Sequence, residues 1–284
     1  MKRLQRVPFF KLAGKHPFGQ RIVWVSLFTW LISFVWVNSF EFKDLILFDP
    51  HMAPTWSHPF GTDALGRDYL VRVVMGAQVS VFIGFVGAFC ILMFALIFAI
   101  VLAIGLAKSK FKIIAYRFLD IYESLPSFVL VSVFCLIFQN FFSDFSPLYQ
   151  SICTLIVSIS LSHWMKSSRI LAERILKISS ELYMDGVRAL GASPFYILRK
   201  HIIPGMTHEL FTLFLSLVPI PILYESFMSF VGLGIPAPWT SWGNLIEESW
   251  SSLSIFPHLI FFPGFFLFLT LFLLERVMRF KRSI

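Results

Sequence analysis

The chain has 284 residues, of which 57% are hydrophobic and only 14% charged, and its mean hydropathy is +0.77. A soluble domain carries about a quarter charged residues, so this much apolar surface cannot be hidden in one globule of this size, and lipid must solvate the rest. The net charge of +8 would suit nucleic acid, but its distribution along the chain excludes that class.

A membrane-spanning helix needs about 20 mostly apolar residues, because hydrocarbon leaves no backbone group a partner outside the segment. Six stretches meet this: 21–40, 77–107, 124–142, 148–165, 210–231 and 255–274. The first follows a basic stretch, is too long for a signal core and has no small-residue cleavage site after it, so it is expected to be retained as a span. The second exceeds one crossing and should tilt or extend past the bilayer. The fourth is diluted by Ser158, Ser160, Ser162 and His163. Cys90, Cys135 and Cys153 lie inside apolar runs with no paired spacing and read as small buried hydrophobes.

Lys and Arg set the orientation. Twenty-one of the 24 lie before or at the start of the first span, between the second and third, between the fourth and fifth, or after the sixth. The other side holds only Lys43, Arg67 and Arg72. The expected fold is therefore an all-α integral membrane protein of about six transmembrane helices with both termini cytoplasmic. The basic surplus is a topology signal, and no nucleic acid is expected as a partner. Residues 1–76 form an N-terminal segment with the first span and an external loop, and 77–284 a transmembrane domain with a cytoplasmic loop at about 166–208.

Before the second span stands His58-Pro-Phe-Gly-Thr-Asp-Ala-Leu-Gly-Arg-Asp68. Its turn-forming and charged residues allow a local ion cluster of Asp63, Arg67 and Asp68 at the membrane surface. Arg117 and Asp120, before the third span, are three apart and can pair on one helical face. The 166–208 loop predicts a helix–turn–helix. Leu182, Val187 and Leu190, with Tyr183 and Gly186, line one narrow apolar face, and Glu181, Asp185 and Arg188 the other. Gly191 is a C-terminal stop. Ser193-Pro194 supplies an N-cap and a first-turn proline for a second short helix, which Pro204 helps to end. Such a pair could rest on lipid headgroups or serve a protein partner.

Glu225 sits near the outer end of the fifth span, after Pro219 and Pro221. A carboxylate at that depth faces protein or water and has a partner. It reads either as a gate or substrate-path residue or as a structural anchor for the loop that follows. The chain has no G-x-x-x-x-G-K-[ST] loop, no G-x-S-x-G elbow and no metal-ligand spacing among its seven histidines. No catalytic residue, no metal and no cofactor held by this chain are expected.

From Asp185 the spacing to Gly191 and to Pro204 resembles the cytoplasmic signature of importer permeases of the ATP-binding-cassette type. Leu182, Ala189, Leu190, Ala192 and Ser193 complete the match, while Asp185-Gly186-Val187 replaces the usual Glu-Ala-Ala. The segment with Gly61, Thr62, Asp63, Gly66, Arg67 and Asp68 resembles the second permease of the dipeptide, oligopeptide and nickel branch. So does Glu225-Ser-Phe-Met-Ser-Phe-Val-Gly-Leu-Gly234 with Ser241-Trp-Gly-Asn244. The resemblance implies a non-enzymatic inner-membrane subunit that pairs with a homologous permease. Two cytoplasmic ATPases carrying ATP and magnesium would grip the helix–turn–helix, and an external peptide-binding protein would deliver substrate. Nickel or another small solute is the alternative cargo, and an ion-coupled carrier or a non-transporting scaffold the rival class.

Overall fold

The computed structural model describes residues 48–105 and 111–282. The expected first span, the N-terminal basic segment and Lys43 lie outside the described residues. Within them the chain is helical, with a single Thr62–Asp68 β-bridge. The helices are α1 (Tyr69–Ile100), α2 (Phe111–Glu123), α3 (Ser127–Gln139), α4 (Pro147–Ser179), α5 (Leu182–Ala189), α6 (Pro194–Ile197), α7 (Thr207–Leu217), α8 (Pro219–Phe230), α9 (Trp242–Trp250) and α10 (His258–Arg282).

Among the described residues, three helical stretches are long and apolar enough to cross a membrane: Tyr69–Ala103, Thr207–Phe230 and His258–Arg276. A fourth arises if Ile113–Glu123 and Ser127–Gln139, bent by 93°, form one broken span. The expected 124–142 helix is thus shortened. Pro126 cannot continue α2 and instead caps α3, whose 13 residues rise about 20 Å. In contrast, α4 runs well past position 165, to Ser179. Its polar residues lower its hydropathy, yet Ser158, Ser160 and Ser162 are themselves buried inside the bundle.

The organising element is α1, 32 residues and about 48 Å long. Three apolar clusters are strung along it. At its start, Tyr69 and Val73 pack with Trp242, Leu245 and Leu259. In the middle, Ile83, Ala88 and Ile91 meet Val131, Leu155, Ile159, Val218 and Ile222. At its end, Ala95, Ala99 and Leu102 meet Leu119, Leu171, Ile175 and Met184. Cluster membership fixes the directions: α1, α4 and α10 run away from the 48–68 loop, and α3 and α7–α8 run back towards it. Close approach of α8 depends on Gly87, where a Cβ would stand 2.8 Å from Pro221.

Candidate functional site

At the loop end, the 58–68 motif closes on itself and on α9. Gly66 has φ +79°, and a side chain there would strike the Phe48 carbonyl, so only glycine fits the turn. Gly61, with φ +75°, lies under Met52. Thr62 is fully buried; its hydroxyl donates to the Asp49 carbonyl at 2.7 Å and accepts from Met52 N at 2.8 Å. Asp63 accepts from the amides of Leu65 and Arg67 and from Arg67 Nε at 2.6 Å. Asp68 caps α1 through Val71 N and meets His58 Nδ1 at 2.8 Å.

The ion cluster is wider than the motif. Arg72, only 3% exposed, donates to Asp63 at 2.9 Å and in fork geometry to both oxygens of Glu248, at 2.7 and 3.1 Å. Asp68, expected in that cluster, bonds instead to His58. Tyr69 donates to the Leu259 carbonyl at 2.6 Å, and Trp242 Nε1 to the Val73 carbonyl at 3.1 Å. These bonds tie the loop, α1, α9 and α10 together. Glu248 had no sequence signal, since 176 residues separate it from Arg72.

Glu225 on α8 has no exposed surface. Its partners are hydroxyls: Ser80 of α1 at 2.9 Å, Ser229 one turn on at 2.8 Å, Ser226 at 3.4 Å, and Ser241. Ser80 also accepts from Trp242 N at 3.2 Å, and Ser241 caps α9 through Asn244 N at 3.2 Å. The carboxylate is therefore the hub joining α1, α8 and α9. Ser229, four residues on, stands at helical spacing from Glu225 and was legible; Ser80 and Ser241 were not.

At the opposite end of α1, the predicted helix–turn–helix forms. Gly191 adopts φ +79° after α5, its amide donating to the Arg188 carbonyl at 2.9 Å. Ser193 caps α6 by accepting from Tyr196 N at 3.3 Å. The anchoring residue is Met184, fully buried among Leu171, Ile175 and Ile202, with Val187 and Ala192 packed beside it. Leu182 is 90% exposed and Leu190 89%, and Ala189 and Gly186 also face outward. The apolar face thus divides: one set holds the bundle, the other is bare.

Asp185 pairs with Arg188 at 2.8 Å, and Arg188 reaches back to the Ser179 carbonyl at 2.7 Å. Pro204 does not end the second helix. A π turn over Leu198–Ile202 carries the chain past it to Gly205, a shift that accommodates the proline's missing N–H. Asp120 pairs across helices with Arg169 at 2.6 Å rather than with Arg117, because α4 extends far enough to reach it, and this bond raises the Arg169 pKa.

A long-helix bundle with a buried carboxylate hub at one end and an anchored helix–turn–helix at the other defines a membrane transport subunit. The chain belongs to the family described as binding-protein-dependent transport system inner membrane component, which it matches over residues 95–280. It is 32% identical over 254 residues to the oligopeptide transport system permease OppC of Haemophilus influenzae, covering 88% of this chain and 76% of that one. OppC of Bacillus subtilis is 29% identical over 235 residues, 83% of this chain and 73% of the relative. The dipeptide permease DppC of the same organism is 30% identical over 227 residues, 80% and 67% respectively. Among solved structures, the inward-facing MetNI methionine ABC transporter superposes with a TM-score of 0.56 at 17% identity, covering 74% of this chain and 96% of that one, a likeness of fold.

Proposed function

We propose that the chain is one of two permease subunits of an ATP-driven importer that moves dipeptides or oligopeptides across the bacterial inner membrane. The relatives named for peptide transport support the cargo. The alternating helix directions, with the expected first span added and α4 counted as a crossing, support a six-span arrangement with both termini on the side of α5 and α6. The crowding of Lys and Arg on that side supports reading it as the cytoplasmic one. ATP and magnesium then belong to two partner ATPases.

The observation that carries the reading is the divided face of α5–α6. Met184 fixes the helices to the bundle, while Leu182, Leu190 and Phe195 stand exposed as a patch for another protein. Asp185, Gly186 and Ala189 edge that patch, and Gly191, Ser193 and the π turn before Pro204 hold its angle. ATPase closure would push this patch and tilt the long α1 and α4, exchanging inward-open for outward-open states with different contacts in each. Glu225, as the hub of α1, α8 and α9, would make the far end answer as one gate. The exposed tip of the Gly61–Asp68 turn, at Leu65, would face the delivery protein, with the buried 240–244 segment supporting it from beneath.

The test is Leu182→Asp with Leu190→Asp. Both side chains are exposed, so membrane insertion should be normal while the ATPases fail to co-purify and peptide uptake stops. Normal uptake in the double variant would remove the coupling assignment.

A further inference from the structure

At the loop end of the bundle, a cleft of about 470 Å³ opens between the end of α3, the start of α4, the segment 232–237 and α9. That size falls within the range of ligand sites, about 300–1,000 Å³. About half of its wall is polar where a membrane bundle is ordinarily apolar: Gln139, Gln150, Thr154, Asn244, Glu247 and Glu248 line it beside apolar residues.

Two observations mark it as a receiving site rather than a packing defect. Thr154 is 6% exposed, and its hydroxyl has no hydrogen-bond partner among the described residues. Helical Ser and Thr usually donate to the carbonyl one turn back, as Ser151 does here to Pro147 at 3.0 Å. A buried hydroxyl left without a partner is unfavourable unless a ligand completes it. The second observation is the charge. Glu248 is matched by the fork of Arg72, whereas Glu247, exposed one residue earlier, has no ion-pair partner among the described residues. Gln150 and Asn244 are pre-set, their amides donating to the carbonyls of Gln139 and Ile235.

We infer that this cleft receives the cationic end of an extended peptide: Glu247 takes an ammonium, and the Thr154 hydroxyl with the Gln150 and Asn244 amides takes backbone groups. The inference deepens the peptide-importer reading and rests on it. An ammonium could come from the peptide's amino terminus or from a lysine side chain, and the probes separate the two.

The experiment uses membranes holding the chain with its partner subunits. They are photolysed with tetra-alanine ending in benzoylphenylalanine, with its N-acetyl form, and with an N-acetyl form carrying one lysine. The label should map to 139–154 or 232–247 and be competed by penta-alanine. Glu247→Gln should lower labelling and raise the uptake KM about tenfold, the loss of one charge-assisted hydrogen bond. Thr154→Val, which keeps the shape, should lower labelling severalfold with chain level unchanged. Labelling by the free-amine probe alone assigns the amino terminus; restoration by the lysine probe assigns any ammonium. Labelling elsewhere in the chain, or labelling and KM indifferent to Glu247→Gln, would overturn the cleft while leaving the importer reading intact. Penta-alanine uptake unchanged by deletion of this chain would instead overturn the importer reading itself.

Discussion

Two glycines five positions apart provide the sharpest test of the lever, because adding one methyl group should act in opposite directions. At both Gly186 and Gly191 an added Cβ would meet nothing within 4 Å, so packing cancels and the backbone alone decides. Gly186 lies within α5, where alanine is favoured by about 0.5–1 kcal/mol. Gly191 holds φ +79°, where an L side chain costs about 1–2 kcal/mol. The two alanine variants should therefore differ by about 1.5–3 kcal/mol in local stability. Since 1 kcal/mol is about a fivefold change in an opening equilibrium, hydrogen exchange of 182–197 in lipid nanodiscs resolves the difference. Gly186→Ala should slow exchange there by a few-fold, and Gly191→Ala should speed it at least about fivefold. A change of the same sign in both variants would refute the backbone argument, and with it the reading of Gly191 as the turn that sets the angle of the patch.

Gly191→Pro goes further, since proline cannot reach a positive φ and also loses the amide bonded to Arg188; transport should stop while membrane insertion, followed by protease protection, is kept. Arg72→Ala leaves the half-exposed Glu248 without its fork and Asp63 with Arg67 and two amides, and should destabilise the detergent-purified chain by about 1–3 kcal/mol, read as a fall in thermal midpoint. Arg72→Lys should recover part of this, because an ammonium cannot fork across a carboxylate. Glu225→Ala removes the shared acceptor of buried hydroxyls and should cost about 1–3 kcal/mol or more, whereas Glu225→Gln, which keeps an acceptor oxygen, should cost less in the same melt.

The helix–turn–helix was legible because its signals are local: a glycine that alone tolerates positive φ, and a serine followed by proline at a helix start. Glu225 was legible as a position, since a carboxylate in an apolar run is costly, but not as a hub, because Ser80 comes from 145 positions away. The division of the α5 face was hidden for a related reason. Periodicity groups Leu182 with Leu190, yet the bundle offers its pocket at Met184, and only tertiary placement decides which apolar residue enters. The true partner of Asp120 escaped because hydropathy ends the fourth span near Met165, while the backbone of α4 continues helical to Ser179 and carries Arg169 within reach.

The joints made by Tyr69 and Trp242 have a consequence for how such a subunit can diverge. Both side chains donate to main-chain carbonyls, of Leu259 and Val73, and a carbonyl is supplied by whichever residue occupies the position. The receiving side chains can therefore be exchanged without loss of the bond, so the joint leaves no paired substitutions to detect. Its record in related chains would be one-sided: a fixed aromatic donor facing a position constrained by core packing but not by the bond.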